Sequence, residues 1–476
     1  MAMNKKQIVS GLVLWIFSCC MGFAQINDLE RVSPESEGLS STCIQEYFDE
    51  MMHLEKGNTH GIMILRHGKV IGELYPQPIQ ADYSHTLYSA SKTLVAIAIG
   101  IAIDEQRLHI SDQVISFFPH LLPDTLSEGL SQMTIQHLLT MCSGIQPDWN
   151  LRNQQTQWIQ HLLQKKVDQP GSQFQYDSMV SYLLSAILQQ VTGKKLLDYL
   201  KEKIFNPMHI TQVEWEESPE GINTGGWGLY MQVESMAKVG QLLLNHGKWN
   251  GEQLVSSKWV DEMMSIQKKT GMLSDYGYQI WYQAKTKTYR ADGAFGQYII
   301  ISPSTDMVVA ITQDNKGNGV YEQLLVYDKI FSKVSDQKLL EGEAYTQLKE
   351  KRYTLPVVQG EKNSSHFEEI KNKTITLDPQ NKLEWEKIQI ETENDLLRIN
   401  VITNSGKQYS ILAGYQQWID NTTTVCPPYS IKALGRFNGI SRHFHVAACY
   451  GWEEATKLTI RVLFPNWISG GDVKIE

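Results

Sequence analysis

Ser89 and Lys92 stand one helical turn apart in the stretch TLYSASKTLVAIAIGIAID, Thr86 to Asp104. From Leu94 to Ile103 this stretch is apolar nearly all the way round, and such a helix can sit only in a core. A lysine at the mouth of a buried helix loses solvation, which lowers its pKa and lets it accept or relay a proton from a neighbouring hydroxyl. The chemistry this pair could support is that of an activated serine nucleophile.

The spacing alone carries little weight. About two accidental Ser-x-x-Lys matches are expected in a chain of this length at ordinary abundances, and Ser265 with Lys268 and Ser335 with Lys338 match as well. Only SASK leads into a long charge-free apolar run, so a surface serine beside a solvated lysine describes the other two better. A GxSxG nucleophile elbow, a phosphate loop, an HExxH zinc motif and a dinucleotide fingerprint are absent from the sequence, which removes the main rival enzyme classes.

The elements that must hold the pair can be read around it. Ser40 to Leu54 has the start signals of a helix, and HGIMILRHGKVIGELY reads as a hairpin about His67, Gly68 and Lys69. Residues 105–200 are mostly helical in pattern, including MTIQHLLTMCSGI and MVSYLLSAILQQVTG, the latter stopped by Gly193. From Gly225 the texture changes. GGWGLYM is a glycine and aromatic turn, VESMAKVGQLLLNHG a helix, and YGYQIWYQ, GQYIIIS and MVVAITQD strands, closed by the helix YEQLLVYDKIFSKV. Strands at both ends with helices between them predict one sheet whose edges lie far apart in sequence, an α+β arrangement.

At 476 residues the chain is long enough for two or three domains. Residues 336–373 are polar, broken by Pro356 and the loop-like GEKNSS, and read as a linker. An exposed linker invites a protease to release the fragment beyond it. Short alternating runs from KTITL to DVKIE, residues 374–476, predict a small all-β sandwich or barrel.

Three further segments follow SASK in order: MTIQHLLTMCSGI, QPGSQFQYDSMVSYLLSAILQQVTG and YRADGAFGQYIIISPSTDMVVAIT. With them, the stretch from the region of residue 30 to residue 335 resembles the serine β-lactamase and penicillin-binding protein superfamily, in its class C, carboxypeptidase and esterase branch. GAFGQ resembles the part of that branch containing 6-aminohexanoate-dimer hydrolase and related esterases. The resemblance implies a catalytic domain over residues 28–335, an antiparallel sheet flanked by helices with a mostly helical subdomain, followed by the linker and the β domain. It implies Ser89 as the acylated serine, Lys92 as its partner and Tyr176 as general base or proton relay. A phenol can act as base only where adjacent cations favour its ionised form, and Lys92 would be that cation. Gly293 matches the glycine of the third motif, and the backbone N–H groups of Ser89 and Ala294 would form the oxyanion hole.

Two departures bear on substrate. The second motif is YDS, with Ser178 where the family usually has an asparagine that orients the substrate amide. The third is ADG, with Ala291 where β-lactamases carry a cation and Asp292 adding negative charge; Arg290 next door is a substitute partner for a carboxylate. Ser178, Arg290, Asp292 and Gly293 are thus the substrate-binding candidates. The bland readings stand beside these: a hydrogen-bonded core tyrosine at Tyr176, a satisfied core histidine at His137, and packing for Trp227, Tyr230, Tyr276 and Trp281. Trp418, Trp452 and Trp467 offer either a sugar-stacking face or a small core, the core being preferred.

The N-terminus has the layout of a secretory signal: Lys5 and Lys6, an apolar stretch from Ile8 to Met21, then a small residue at Ala24. Residues 1–24 are read as that signal, and lipid attachment at Cys19 is disfavoured by Phe17. Its removal takes two lysines and no acids, moving the formal charge from −9 to −11. An acidic protein is a poor nucleic-acid binder. Among the remaining cysteines, Cys426 and Cys449 could pair or stay as buried thiols.

These readings converge on an exported serine hydrolase acting on a small ester, amide or peptide through an acyl-enzyme at Ser89, with neither cofactor nor metal required and no transmembrane segment. A D-amino-acid peptidase or β-lactamase is the alternative within the class, and a non-catalytic cell-wall or carbohydrate receptor the alternative outside it.

Overall fold

The structure is a computed structural model that describes residues 29–153, 156–317, 319–429 and 437–476. The signal segment, with Cys19 and Ala24, lies outside the described residues.

Seven strands build the sheet of the N-terminal part: β1 (Thr59–Arg66), β2 (Lys69–Leu74), β3 (Asp275–Tyr276), β4 (Trp281–Gln283), β5 (Thr288–Gly293), β6 (Gln297–Ser302) and β7 (Met307–Gln313). Their order is β2-β1-β7-β6-β5-β4-β3, and each pair is antiparallel. The N-terminal hairpin turns at His67 and Gly68, both with positive φ, as a hairpin matched to strand twist requires. Its first strand lies against β7 from the far end of the domain, with Met63 opposite Ala310, so the sheet is closed by residues about as distant in sequence as the pattern predicted.

The helices of eight or more residues among those described are α1 (Ser41–Met51), α2 (Ser91–Asp104), α3 (Ser178–Thr192), α4 (Val233–Leu244), α5 (Ser257–Met264), α6 (Val320–Lys329) and α7 (Glu343–Glu350). Helix α4 packs on β1, β6 and β7, while α1 and α6 pack on each other against the opposite face. The residues of α2 from Leu94 to Ala102 are buried on every side, because α3, α5 and β5 surround it. The Trp259 indole of α5 donates to the Ala96 carbonyl oxygen at 3.0 Å. The charge-free run thus lies where a charge would find no water.

The C-terminal part is a single curled sheet of eight strands. They are β8 (Thr374–Thr376), β9 (Trp385–Glu393), β10 (Leu396–Thr403), β11 (Gln408–Tyr415), β12 (Ile419–Thr423), β13 (Phe444–Glu454), β14 (Lys457–Leu463) and β15 (Gly470–Ile475). The order is β8-β9-β10-β11-β13-β14-β15, with β12 added to β13. Its alternating apolar face forms a core of Trp385, Ile399, Tyr450, Trp452 and Trp467, among others, and that core also takes in Tyr88 and Tyr230 of the N-terminal part. Trp452 and Trp467 are therefore packing residues, and Trp418 is bound through its indole N–H to the Leu355 carbonyl oxygen. Cys426 and Cys449 are both free thiols.

The segment 336–373 joins the two parts but does not hang free between them. Helix α7 packs on α1, Tyr353 donates its hydroxyl proton to Asp49 at 2.8 Å, and Gln77 donates its N–H to the Tyr353 carbonyl oxygen at 2.9 Å and accepts from the Leu355 N–H at 2.8 Å. Leu355 is buried with Ile79, Tyr83 and Leu463. The longest continuously exposed run of the strap is residues 336–343, with Leu340 95% exposed. The released fragment that an exposed linker would give is therefore revised. A protease is expected to cut near Leu340 first, yet the two pieces should elute together from a native sizing column, because the docked face includes a fully buried tryptophan whose loss alone costs about 3–5 kcal/mol. Separate elution of a β fragment would show that the docking is weak.

Candidate active site

Ser89 lies in a 3-10 turn, Tyr88–Ala90, that runs straight into α2. The turn is pinned from two sides: Leu87 donates its N–H to the Leu229 carbonyl oxygen at 2.8 Å, and the Ser91 hydroxyl donates to the Tyr88 carbonyl oxygen at 2.6 Å. Ser89 itself is partly exposed. Its N–H belongs to the first turn of a helix, where backbone donors have no intrahelical partner.

Lys92 is 1% exposed. Its Nζ contacts three oxygens: Ser89 Oγ at 2.9 Å, Ser178 Oγ at 3.0 Å and the Gly226 carbonyl oxygen at 2.6 Å. A neutral amine has two N–H bonds and one lone pair. The Gly226 carbonyl can only accept and Ser178 can accept, which leaves the lone pair for the Ser89 proton. Burial pulls Lys92 down to about 7, with Asp177 opposing and Arg152 assisting. The amine is thus available near neutral pH, the condition that the apolar context of SASK predicted.

Tyr176 lies just before α3, whose N-terminus is capped by Asp177 accepting from the Met179 N–H at 2.8 Å. The Tyr176 hydroxyl is hydrogen-bonded to Ser89, and Lys92 Nζ sits 4.9 Å from its ring centroid. Trp281 stacks on the ring at 5.6 Å, and Tyr276 meets both, so the phenol is held rigidly. Burial pushes the phenol well above its ordinary value, although the bond to Ser89 opposes this. The neighbouring amine does not supply the cation that a phenolate needs, because burial has lowered the amine as well. Of the two groups, Lys92 is the one matched to proton acceptance near pH 7.

Gly293 ends β5 against the turn that carries Ser89. A Cβ there would collide with the Leu87 carbonyl oxygen and press on the Ala90 nitrogen, so only glycine lets the strand approach this closely. The next residue, Ala294, opens a turn that Gly296 closes by donating to the Gly293 carbonyl oxygen at 3.2 Å. Ser89 and Ala294 are thereby brought to adjoining backbone segments.

The remaining candidates divide. Ser178 is a buried partner of Lys92, so its hydroxyl is already engaged by the machinery. Ala291 is 2% exposed and belongs to the core built on α2; where the family's cation would stand there is packed hydrocarbon. Arg290 and Asp292 alternate with it and lie on the other face of β5. Arg290 donates to Asp292 at 2.8 Å and to the Ser274 hydroxyl at 2.9 Å, so the arginine is neutralised and does not replace the missing cation. Burial pushes the Asp292 carboxyl up, and Arg290 pulls it back. His137 caps its own helix, accepting from the Thr134 N–H at 3.1 Å, and takes no part.

Two contributors were not singled out from the sequence. Asp177, between Tyr176 and Ser178, is a buried carboxylate whose charge acts on Lys92; its place before an apolar helix was a readable capping signal. The Gly226 carbonyl reaches Lys92 because a Cβ on Gly226 would strike the Ser178 carbonyl oxygen, and the doubled glycine of GGWG was its only trace. Among the described residues no cluster of three or more His, Cys, Asp or Glu could hold a metal ion, and no helix is long and apolar enough to cross a membrane.

A lysine-contacted serine heading a buried helix, with a tyrosine beside it and an antiparallel strand at its edge, defines the serine β-lactamase and penicillin-binding protein-like superfamily. A family model described as Beta-lactamase matches residues 44–328, more than half of the chain, and the chain belongs to that family. Its members include serine hydrolases of ester and amide bonds. The 6-aminohexanoate-dimer hydrolase of Paenarthrobacter ureafaciens is 23% identical over 291 residues, covering 55% of this chain and 74% of that protein. Among solved structures, a family VIII carboxylesterase aligns with a TM-score of 0.53 at 15% identity, over 64% of this chain and 99% of that one. EstCE1, a hydrolase with promiscuous acyltransferase activity, aligns with a TM-score of 0.52 at 17% identity, over 61% of this chain and 98% of that one. At these identities the structures share the fold.

Proposed function

We propose that the protein is an exported hydrolase of small, neutral esters that works through an acyl-enzyme at Ser89. The observation that carries this reading is the 2.9 Å contact between Ser89 Oγ and a buried Lys92 whose pKa is drawn to about 7. Neutral Lys92 takes the hydroxyl proton as Ser89 Oγ attacks the carbonyl carbon. The N–H groups of Ser89 and Ala294 receive the negative oxygen that forms. Tyr176 stays protonated, so it serves as a relay: its hydroxyl proton passes to the departing alkoxide and is replaced from the lysine ammonium. Water then attacks the acyl carbon by the same route in reverse, restoring Ser89 and releasing the acid.

The preference for neutral esters rests on what surrounds this core. Penicillins and cephalosporins present a carboxylate and an acylamino group, whereas the position of the usual cation is buried at Ala291 and Arg290 is bound to Asp292. An ester needs neither partner. The name of the family VIII carboxylesterase, which shares the fold, supports an ester substrate. Short-chain aryl esters are expected to be cleaved with a kcat/KM roughly a hundredfold above that for a chromogenic cephalosporin, as two lost polar contacts of about 1.5 kcal/mol each would give. Parallel progress curves on purified protein decide this. Equal rates on the two substrates would overturn the preference and point to a β-lactamase or D-amino-acid peptidase.

A further inference from the structure

The two backbone donors assigned to the oxyanion hole each adjoin a residue in a costly conformation. Tyr88, immediately before Ser89, has φ 45°, and Phe295, immediately after Ala294, has φ 63°. Non-glycine residues persist in this left-handed region only where their surroundings hold them. Here the two hold each other, their rings meeting edge to face at 5.2 Å. Behind Tyr88 stands Trp467 of the C-terminal sheet, with ring centroids 5.5 Å apart, and the same indole stacks on Tyr230 at 6.0 Å. Trp467 is fully buried and fixed through its own N–H to the Pro428 carbonyl oxygen at 3.0 Å.

The preceding residue grips the backbone that leads to the nucleophile. The Asn466 carbonyl oxygen accepts from the Thr86 N–H at 3.2 Å, and its side-chain amide donates to the Ser84 carbonyl oxygen at 2.8 Å. The amide oxygen in turn accepts from the His445 N–H at 3.0 Å. A backbone clamp and an aromatic buttress therefore reach the nucleophile turn from adjacent residues of the C-terminal domain, and Tyr88 passes the contact on to the turn that carries Ala294.

We propose that Asn466 and Trp467 of the C-terminal domain are positioning residues that set the oxyanion hole of the catalytic domain by holding Tyr88 and Phe295 in their left-handed conformations. The inference rests on the acyl-enzyme reading of Ser89 and adds to it a role for the tail: the domain completes the active site instead of recruiting substrate. An oxyanion hole is effective because its donors are fixed before charge develops, so loosening them affects the chemical step more than ground-state binding.

The test uses full-length protein carrying Trp467→Ala, Trp467→Phe and Asn466→Ala, assayed with an aryl ester and with a phosphonate probe. Trp467→Ala is expected to lower kcat about thirtyfold with KM changed less than threefold, somewhat below the roughly 10²–10³-fold that follows loss of an oxyanion donor. The rate of phosphonate labelling at Ser89 should fall in parallel, and Trp467→Phe, which keeps a ring against Tyr88, should recover most of both. Asn466→Ala should act in the same direction, and it serves as the readout together with Trp467→Phe if Trp467→Ala does not fold by circular dichroism. Folded variants with kcat within twofold of wild type, or a loss confined to KM, overturn the positioning role while normal labelling of wild-type Ser89 leaves the acyl-enzyme reading intact. Wild-type protein that the probe does not label at Ser89 overturns both.

Discussion

Replacing Ser89 by alanine is expected to abolish labelling by an active-site phosphonate and to lower ester hydrolysis by at least about 10⁴-fold. Removal of the nucleophile alone costs roughly 10⁶-fold in a well-measured serine hydrolase, because the remaining groups have nothing to act through. The fold should survive, since Ser89 is partly exposed and its side chain gives up one contact from Lys92 and one from Tyr176. Peptide mapping of the labelled wild type should locate the phosphonate on Ser89, and not on Ser178, the other hydroxyl bound to Lys92. That contrast is informative because both serines touch the same amine while only Ser89 heads the turn that faces Ala294. A probe found on Ser178, or activity surviving in Ser89→Ala, would mean that the structure's partly exposed serine is not the nucleophile.

How far the sequence led can be judged from these same residues. The Ser89 and Lys92 pair was readable because its context, an apolar run with no charge, carries an unavoidable physical consequence: a lysine at its head must be desolvated. The hairpin and the strands were readable because short apolar runs and the turn residues that bound them are local properties. The other acceptors of Lys92 were not, since Ser178 and the Gly226 carbonyl come to it from 86 and 134 residues away and a carbonyl has no side-chain signature. Arg290 is a different case. Alternation along a strand sends neighbours to opposite faces, so once ADG is a strand, Arg290 cannot share a face with Ala291, and its pairing with Asp292 two residues on follows from the same rule.

The C-terminal domain shows the other limit. Alternating runs announced a sheet with one buried face, but the pattern is silent on what covers that face. Part of the cover proves to be Tyr88 and Tyr230, residues whose own surroundings read as a nucleophile helix and a glycine-rich turn. The anchoring of the strap 336–373 was not legible for a related reason. Polar composition describes how its outer side meets water, whereas Leu355 and Tyr353, two residues among many, decide that it is anchored.

The acid limb of the pH profile is expected to report Lys92. If neutral Lys92 is the proton acceptor, kcat/KM should be level above about pH 7 and fall close to tenfold per unit below it, the lysine being protonated and unable to take the Ser89 proton. Lys92→Ala and Tyr176→Phe should each lower turnover by about 10²-fold or more, the usual worth of a positioned acid-base group. Together they should cost far less than the product, because the two act on one proton path. Lys92→Arg separates charge from basicity, since a guanidinium keeps the positive charge and cannot be deprotonated, and it should be as inactive as Lys92→Ala. An independent check needs no substrate. A lysine whose folded pKa lies near 7 and whose unfolded pKa is near 10.5 binds more protons when unfolded between those values, so wild-type stability relative to Lys92→Met should rise as pH increases from about 7 to about 10.5. A flat rate profile between pH 5 and 8, or an active Lys92→Arg, would exclude the amine as base and return that role to Tyr176, whose phenol would then have to ionise against the burial that surrounds it.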